Sequence, residues 1–106
     1  MASTKGYLDF VLDQLSGLEE ISYRPMMGEY ILYYRGKIFG GIYDDRFLVK
    51  NVRAAERLMP DASLELPYEG AKEMRSVTDI DDRELLNRLV TEMYDELPER
   101  KKGKWA

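Results

Sequence analysis

Two segments, one near each end of the chain, repeat apolar residues at the spacing of an amphipathic helix. They cover residues 4–18 and 81–97, and the apolar positions of each fall on one face. Ser3 or Thr4 can cap the first helix, and we expect Asp81 to cap the second. Both helices should therefore pack one face on a core. Their apolar positions are Tyr7, Leu8, Val11, Leu12, Leu15 and Leu18, and Leu85, Leu86, Leu89, Val90, Met93, Tyr94 and Leu97.

Between these helices the composition changes to Ile, Tyr, Phe, Leu and Val, which is typical of strands. Gly36 lies between two apolar runs and indicates a hairpin turn, and Asp44-Asp45 indicates a second one. These turns predict an antiparallel meander with strands at about residues 22–35, 37–43 and 46–51.

The rest of the chain predicts a short helix at residues 52–59, ended by Pro60, and two short strands connected through Pro67 and Gly70. The predicted order is α-β-β-β-α-β-β-α. Strands joined by short turns favour an antiparallel sheet. Helices with a single apolar face favour packing of that face on the sheet. We therefore predict one α+β domain at residues 1–98, with two layers and a five-stranded antiparallel sheet.

The composition narrows the possible chemistry. The 106 residues include no Cys and no His, which excludes disulfides, thiolate metal sites and catalysis by a histidine-activated nucleophile. The sequence shows no signal peptide and no apolar run long enough for a bilayer, so we expect a soluble, cytoplasmic protein that is not on a membrane. The net charge is −4 although residues 99–106 form a basic tail, which we expect to be disordered. An acidic body disfavours nucleic-acid binding.

The stretch GKIFGG, residues 36–41, raises the question of a phosphate loop. A P-loop places its Gly-Lys-Ser/Thr last, between a strand and a helix, whereas here Gly-Lys comes first and strands flank both sides. We therefore expect Gly36 to turn a hairpin. We expect Gly40 and Gly41 to let the strand bend or let an aromatic side chain lie across it.

The strands are rich in tyrosine on both faces. Tyr30 and Tyr34 share one face and Tyr33 the other, so either the sheet is covered twice or one face binds a partner or a second copy. We favour an interface. Its candidate residues are Arg24, Tyr30, Tyr34, Tyr43 and Lys50.

Acidic residues cluster in the segment DIDDRE, residues 79–84. Clustered carboxylates suit hard cations, but the spacing of a calcium-binding loop is missing. Capping of the following helix explains their position, so we expect no metal site and no cofactor.

The segment MMGEYILYYRGKIFGGIYDDRFLVKN, residues 26–51, resembles the TfoX/Sxy N-terminal domain family, whose members are associated with regulation of bacterial competence. The resemblance rests on Met27-Gly28, on Tyr30 to Tyr34, on Lys37 to Ile42 and on Phe47 to Lys50, and it extends over roughly residues 7–98. It implies a stand-alone short member with a two-layer fold and a five-stranded antiparallel sheet, with no catalytic residues and no cofactor. Members are thought to act through other proteins, such as the catabolite activator protein.

Three functions remain open. The first is a non-catalytic regulatory or protein-interaction module, bound to a protein partner or to a second copy. The second is a small-molecule binder, or an unusual enzyme that uses tyrosines and carboxylates. The third is weak nucleic-acid binding. Whichever function applies, we expect a structural role for six residues: Gly28, Gly36, Gly40, Gly41, Pro67 and Gly70.

Overall fold

The computed structural model describes residues 3–98, so the predicted disordered tail at 99–106 lies outside the described residues. This part of the chain contains three α-helices and six strands. The elements in order are α1 Lys5–Gln14, β1 Ile21–Met26, β2 Glu29–Tyr34, β3 Lys37–Ile42, β4 Phe47–Val49, α2 Arg53–Leu58, β5 Leu64–Glu65, β6 Met74–Ser76 and α3 Arg83–Met93, followed by a 3-10 turn at Tyr94–Glu96.

The strands form one antiparallel sheet in the order β1-β2-β3-β4-β6-β5. The predicted α+β class is confirmed, but the predicted number of five strands is wrong. The segment expected to be one strand at residues 22–35 is divided by a turn at Met27-Gly28 into β1 and β2. The observed order is therefore α-β-β-β-β-α-β-β-α.

All three hairpins of the meander turn on two central residues with positive φ, which is the type I′ geometry that matches the twist of antiparallel strands. In the first two turns a glycine takes the second central position. The pairs are Met27-Gly28 at φ 52° and 87°, Arg35-Gly36 at 52° and 85°, and Asp44-Asp45 at 54° and 55°.

The helices cover one face of the sheet. The core on this helix side joins Leu8 and Val11 of α1, Leu86 and Leu89 of α3, and apolar side chains of the strands. Phe39 and Phe47 meet edge to face with ring centroids 6.4 Å apart. Phe39 lies at a bulge where the pairing between β2 and β3 shifts, because Leu32 pairs with Gly40 but Tyr33 pairs with Ile38.

The helix caps differ in part from the prediction. Thr4 caps α1, and its Oγ1 accepts a hydrogen bond from the N–H of Tyr7 at 3.2 Å. The cap of α3 is Asp82, whose carboxylate accepts from the N–H of Leu85 at 3.1 Å. The expected cap at Asp81 is therefore wrong by one residue, because adjacent aspartates are equivalent as cap residues and the hydrogen bond from Leu85 selects Asp82.

Candidate functional site

The face of the sheet opposite the helices is partly covered by the connection between β5 and β6. Residues paired across strands share a face, so Gly41 lies on the same side as its partners Ile31 and Leu48, away from the helix-side core. We call this side the outer face. Pro67 is buried, and the ring of Tyr68 lies 6.3 Å from that of Tyr43. The β5–β6 connection thus lies beside the end of β3.

A cleft of about 510 Å³ opens between the outer face and this connection, and we call it the outer groove. Its volume is within the range of small-molecule sites. Its residues come from β3 and the turn after it, from the segment after β4, from the β5–β6 connection and from the start of β6. They are Ile38, Tyr43, Lys50, Asn51, Val52, Pro67, Tyr68, Ala71, Lys72, Glu73 and Met74.

Gly40 and Gly41 lie inside β3, where the sheet leaves no space for a side chain. A Cβ on Gly41 would lie 2.6 Å from the carbonyl oxygen of Tyr30 and 2.7 Å from the ring of Tyr43. A Cβ on Gly40 would lie 2.2 Å from the carbonyl oxygen of Leu48. The ring of Tyr43 therefore lies over Gly41 and contributes to the wall of the outer groove.

Arg46 attaches the turn before β4 to the β5–β6 connection. Its Nε donates to the carbonyl of Tyr43 at 3.0 Å, its Nη1 to Glu65 Oε1 at 2.8 Å, and its Nη2 to the carbonyl of Leu66 at 3.2 Å. The hydrogen bond from Arg46, followed by one from Ser63, lowers the pKa of the Glu65 carboxyl. One guanidinium therefore fixes both walls of the outer groove relative to each other.

The charge in the outer groove is mainly positive. The ammonium of half-buried Lys50 makes no hydrogen bond or ion pair with any residue from 3 to 98, and neither does that of exposed Lys72. Burial, and then repulsion by Lys72, lowers the pKa of Lys50. Burial, followed by the neighbouring Tyr68, raises the pKa of Tyr43. Glu73 also lines the groove but forms no ion pair with either lysine.

A second concave surface lies at the other end of the sheet, where β1 is the edge strand. Residues 22–25 of β1 are exposed. A cleft of about 520 Å³ lies between this strand and the end of α1, and we call it the edge notch. Its residues are Leu12, Leu15, Ser16, Leu18, Glu20, Ile21, Ser22 and Tyr23.

The structure separates the five candidate interaction residues. Tyr43 and Lys50 both line the outer groove. Arg24 is exposed on β1, opposite Ile31. The other two lie on the helix side. Tyr30 is half-buried with its ring 5.9 Å from that of Tyr23, and Tyr34 is 9% exposed with its ring 5.5 Å from that of Tyr94.

Tyr68 and Lys72 are groove residues that the sequence argument did not single out. Both lie in the segment LPYEGAKE, residues 66–73, for which the sequence predicts a connection through Pro67 and Gly70. Gly70 has a φ of 88° there. The available signal was Tyr68, an aromatic residue directly after a proline in a polar loop. Such a ring loses less free energy to water when it packs on a neighbouring surface, here that of Tyr43.

The acidic segment at residues 79–84 shows no metal geometry. Among residues 3–98, no group of three or more His, Cys, Asp or Glu side chains is placed to hold a metal ion. Asp82 uses its carboxylate to cap α3. Within the same part of the chain, no helix combines the length and apolar character needed to cross a membrane.

Comparison with known proteins identifies the family. A family model described as the TfoX N-terminal domain matches residues 13–97, which include every strand and α3. The chain belongs to the TfoX N-terminal domain family.

This TfoX N-terminal domain is also similar to a protein described as an uncharacterised 12.7 kDa protein in the trpE 5′ region, from Spirochaeta aurantia. The two are 32% identical over 80 residues, which cover 76% of this chain and 70% of the relative. No solved structure matches the TfoX N-terminal domain described here.

Proposed function

We propose that this TfoX N-terminal domain is a non-catalytic regulatory module, of the kind found in competence regulators, that binds another protein at the edge of its sheet. Family membership supports the regulatory role. The observation that carries the proposal is the edge strand β1, whose exposed residues border the apolar edge notch. A strand with a free edge can pair with an extended segment of a partner.

The hairpin geometry determines which backbone groups of β1 face outward. In a hairpin with a two-residue turn, the residues that flank the turn, here Met26 and Glu29, exchange hydrogen bonds, and the pairs then alternate. Ile21, Tyr23 and Pro25 therefore direct their backbone groups away from β2. Their carbonyl groups and the N–H groups of Ile21 and Tyr23 remain available to a partner strand, whereas Pro25 has no N–H.

The edge notch adds side-chain selectivity to this pairing. Leu12, Leu18 and Ile21 are half-buried at its surface, and Tyr23 is 38% exposed beside it. An extended partner with one apolar side chain directed towards the helix side would fill the notch while its backbone pairs with β1. Glu20 at the same notch favours a partner whose flanking residue is basic.

A non-catalytic role is favoured by the composition of the chain. Without His or Cys, a general base near neutral pH would require a carboxylate, a tyrosine or a lysine with a strongly shifted pKa. A binding role needs only the exposed strand edge and the apolar notch.

The proposal is tested by two substitutions at one position of β1. Tyr23→Pro removes an outward N–H, whereas Tyr23→Ala removes only the side chain. Proteins cross-linked to the wild-type chain in cells and identified by mass spectrometry should be lost with Tyr23→Pro and at least partly kept with Tyr23→Ala. Circular dichroism and thermal unfolding check that both variants fold.

Leu18→Glu provides an independent test, because it places a charge at the edge notch without changing the strand. It should remove the same partners. Undiminished capture by a folded Tyr23→Pro variant would overturn the proposal. Sedimentation that shows a dimer, dissociated by Tyr23→Pro, would instead assign the edge to self-association.

A further inference from the structure

The two lysines of the outer groove have no hydrogen-bond or ion-pair partner among residues 3–98 and, unlike the equally unpaired side chains of Arg24 and Arg53, they line the outer groove together. Most of the other cations have an anionic partner or a carbonyl partner. Lys5, Arg35, Arg46, Arg57, Arg83 and Arg88 form ion pairs, Lys37 donates to the carbonyl of Tyr94, and Arg75 donates to Asn51 and to two carbonyls.

The position of Lys50 makes this lack of a partner significant. A charged group that leaves water without a partner destabilises the fold, and a second ammonium nearby adds repulsion. Both conditions apply at Lys50, whose pKa is lowered by burial and by Lys72. A bound anion would compensate both ammonium groups at once, and none of the described side chains does so.

The rest of the groove indicates what else the ligand carries. Tyr43 and Tyr68 place two rings at the groove, and Ile38, Val52 and Met74 add apolar surface. Rings and apolar side chains favour a flat unsaturated group that can lie against them. Glu73 in the same lining disfavours a highly charged polyanion.

We propose that the outer groove binds a small organic anion, consisting of a phosphate or carboxylate group held by Lys50 and Lys72 and a flat ring that contacts Tyr43 and Tyr68. The groove volume of about 510 Å³ accommodates a molecule of this size. The inference goes beyond the proposed partner binding, because the outer groove and β1 lie at different parts of the sheet.

The binding experiment uses the full chain labelled with ¹⁵N and follows amide chemical shifts during titration. The probes are adenosine monophosphate, 4-hydroxybenzoate, adenosine and inorganic phosphate. At least one of the two organic anions should shift amides of the outer groove with a dissociation constant of about 1 mM or below. Adenosine and inorganic phosphate, which each lack one half of the proposed ligand, should bind at least about tenfold more weakly.

Three variants locate the site. Lys50→Met and Lys72→Met should each weaken binding of the organic anion at least about tenfold, since each removes one of its two charges. Arg24→Met is the matched control, because it also removes an exposed cation without an anionic partner among residues 3–98, but on β1. It should change the affinity less than about twofold, since Arg24 does not line the outer groove.

The ring contact is tested by Tyr68→Leu, which should weaken binding of the organic anion and leave the weak binding of inorganic phosphate unchanged. Absence of binding by both organic anions would overturn the proposal, as would equal losses in Lys72→Met and Arg24→Met. Tyr23→Pro should retain anion binding, so failure of the edge proposal and failure of the groove proposal give different results.

Discussion

At the scale of single residues, Gly40 and Gly6 differ in the space that the surrounding structure leaves for a side chain. Gly40 lies inside β3, where a Cβ would lie 2.2 Å from the backbone carbonyl oxygen of Leu48. At Gly6 in α1, no atom other than its chain neighbours and the nearby backbone of the same helix lies within 4 Å of the corresponding position. Backbone in the middle of a sheet cannot move aside as a flexible side chain can.

Substitution of these glycines by alanine should therefore change stability in opposite directions. Gly40→Ala is expected to destabilise the fold by about 1–3 kcal/mol, as overpacking does, and Gly6→Ala to stabilise it by about 0.4–1 kcal/mol by restricting the unfolded chain. Urea unfolding monitored by circular dichroism measures both. A Gly40→Ala variant as stable as the parent would show that the strands can separate there.

At the scale of elements, the two adjacent aspartates before α3 differ in function. Asp82 accepts from the N–H of Leu85 at 3.1 Å, whereas Asp81 is exposed and makes no cap bond. Asp82→Ala should therefore lower the free energy of unfolding by about 1 kcal/mol. Asp82→Asn should retain most of the wild-type stability, because asparagine also caps helices. Asp81→Ala, measured in the same unfolding experiment, is the control and should cost only a few tenths of a kcal/mol. Equal losses would contradict the cap assignment.

The pair between Arg46 and Glu65 is the element-scale contact whose strength should depend on pH. Each side chain is about one third exposed, at 32% and 34%, so solvent screens the pair and its coupling should be about 0.5–1 kcal/mol. Because the pKa of folded Glu65 is lowered from 4.5, its contribution is present above that value and is lost as the pH falls through the folded pKa.

A double-mutant cycle with Arg46→Met and Glu65→Gln isolates this coupling from the titration of other carboxylates. Unfolding free energies at about pH 7 should show the coupling, and those at about pH 3 should show little of it. Coupling that persists unchanged at the lower pH would mean that Arg46 and Glu65 interact through a hydrogen bond that does not require the charged carboxylate.

The sequence predicted those elements that depend on local pattern. The apolar periodicity located both long helices, and Gly36 and Asp44-Asp45 located two hairpins. The turn at Met27-Gly28 was missed because methionine is not a typical turn residue. Its signal was Gly28 in the second central position of a type I′ turn.

The candidate sites were less predictable, because they depend on contacts between distant parts of the chain. Alternation alone placed Tyr30 and Tyr34 on one face, but it could not show that the helices bury Tyr34. Nor could it show that the β5–β6 connection lies against the outer face and brings Tyr68 to Tyr43. Lys50 was a candidate for the interface on the sheet, whereas its lack of a partner among the described residues is visible only in the structure.

At the scale of the whole molecule, α1 belongs to the folded unit although the family match begins at residue 13, near the end of that helix. Leu8 and Val11 have no exposed surface in the helix-side core. The start of α1 is also held by polar contacts to the hairpins. Ser3 Oγ donates to Glu29 Oε1 at 2.6 Å, and the N–H of Thr4 donates to Asp45 Oδ1 at 2.8 Å.

A chain that begins at Asp13 should therefore not fold, even though it retains the region that matches the family. Burial of Leu8 and Val11 alone contributes about 3–6 kcal/mol, which is comparable with the total stability of a small domain at about 5–15 kcal/mol.

Leu8→Ala in the full chain should cost about 2–5 kcal/mol. Phe10→Ala, on the same helix at 41% exposure, should cost much less and serves as the control. Amide dispersion in a ¹H–¹⁵N spectrum and urea unfolding measure these effects, and a dispersed spectrum from the truncated chain would show that α1 is an accessory to an independently stable sheet.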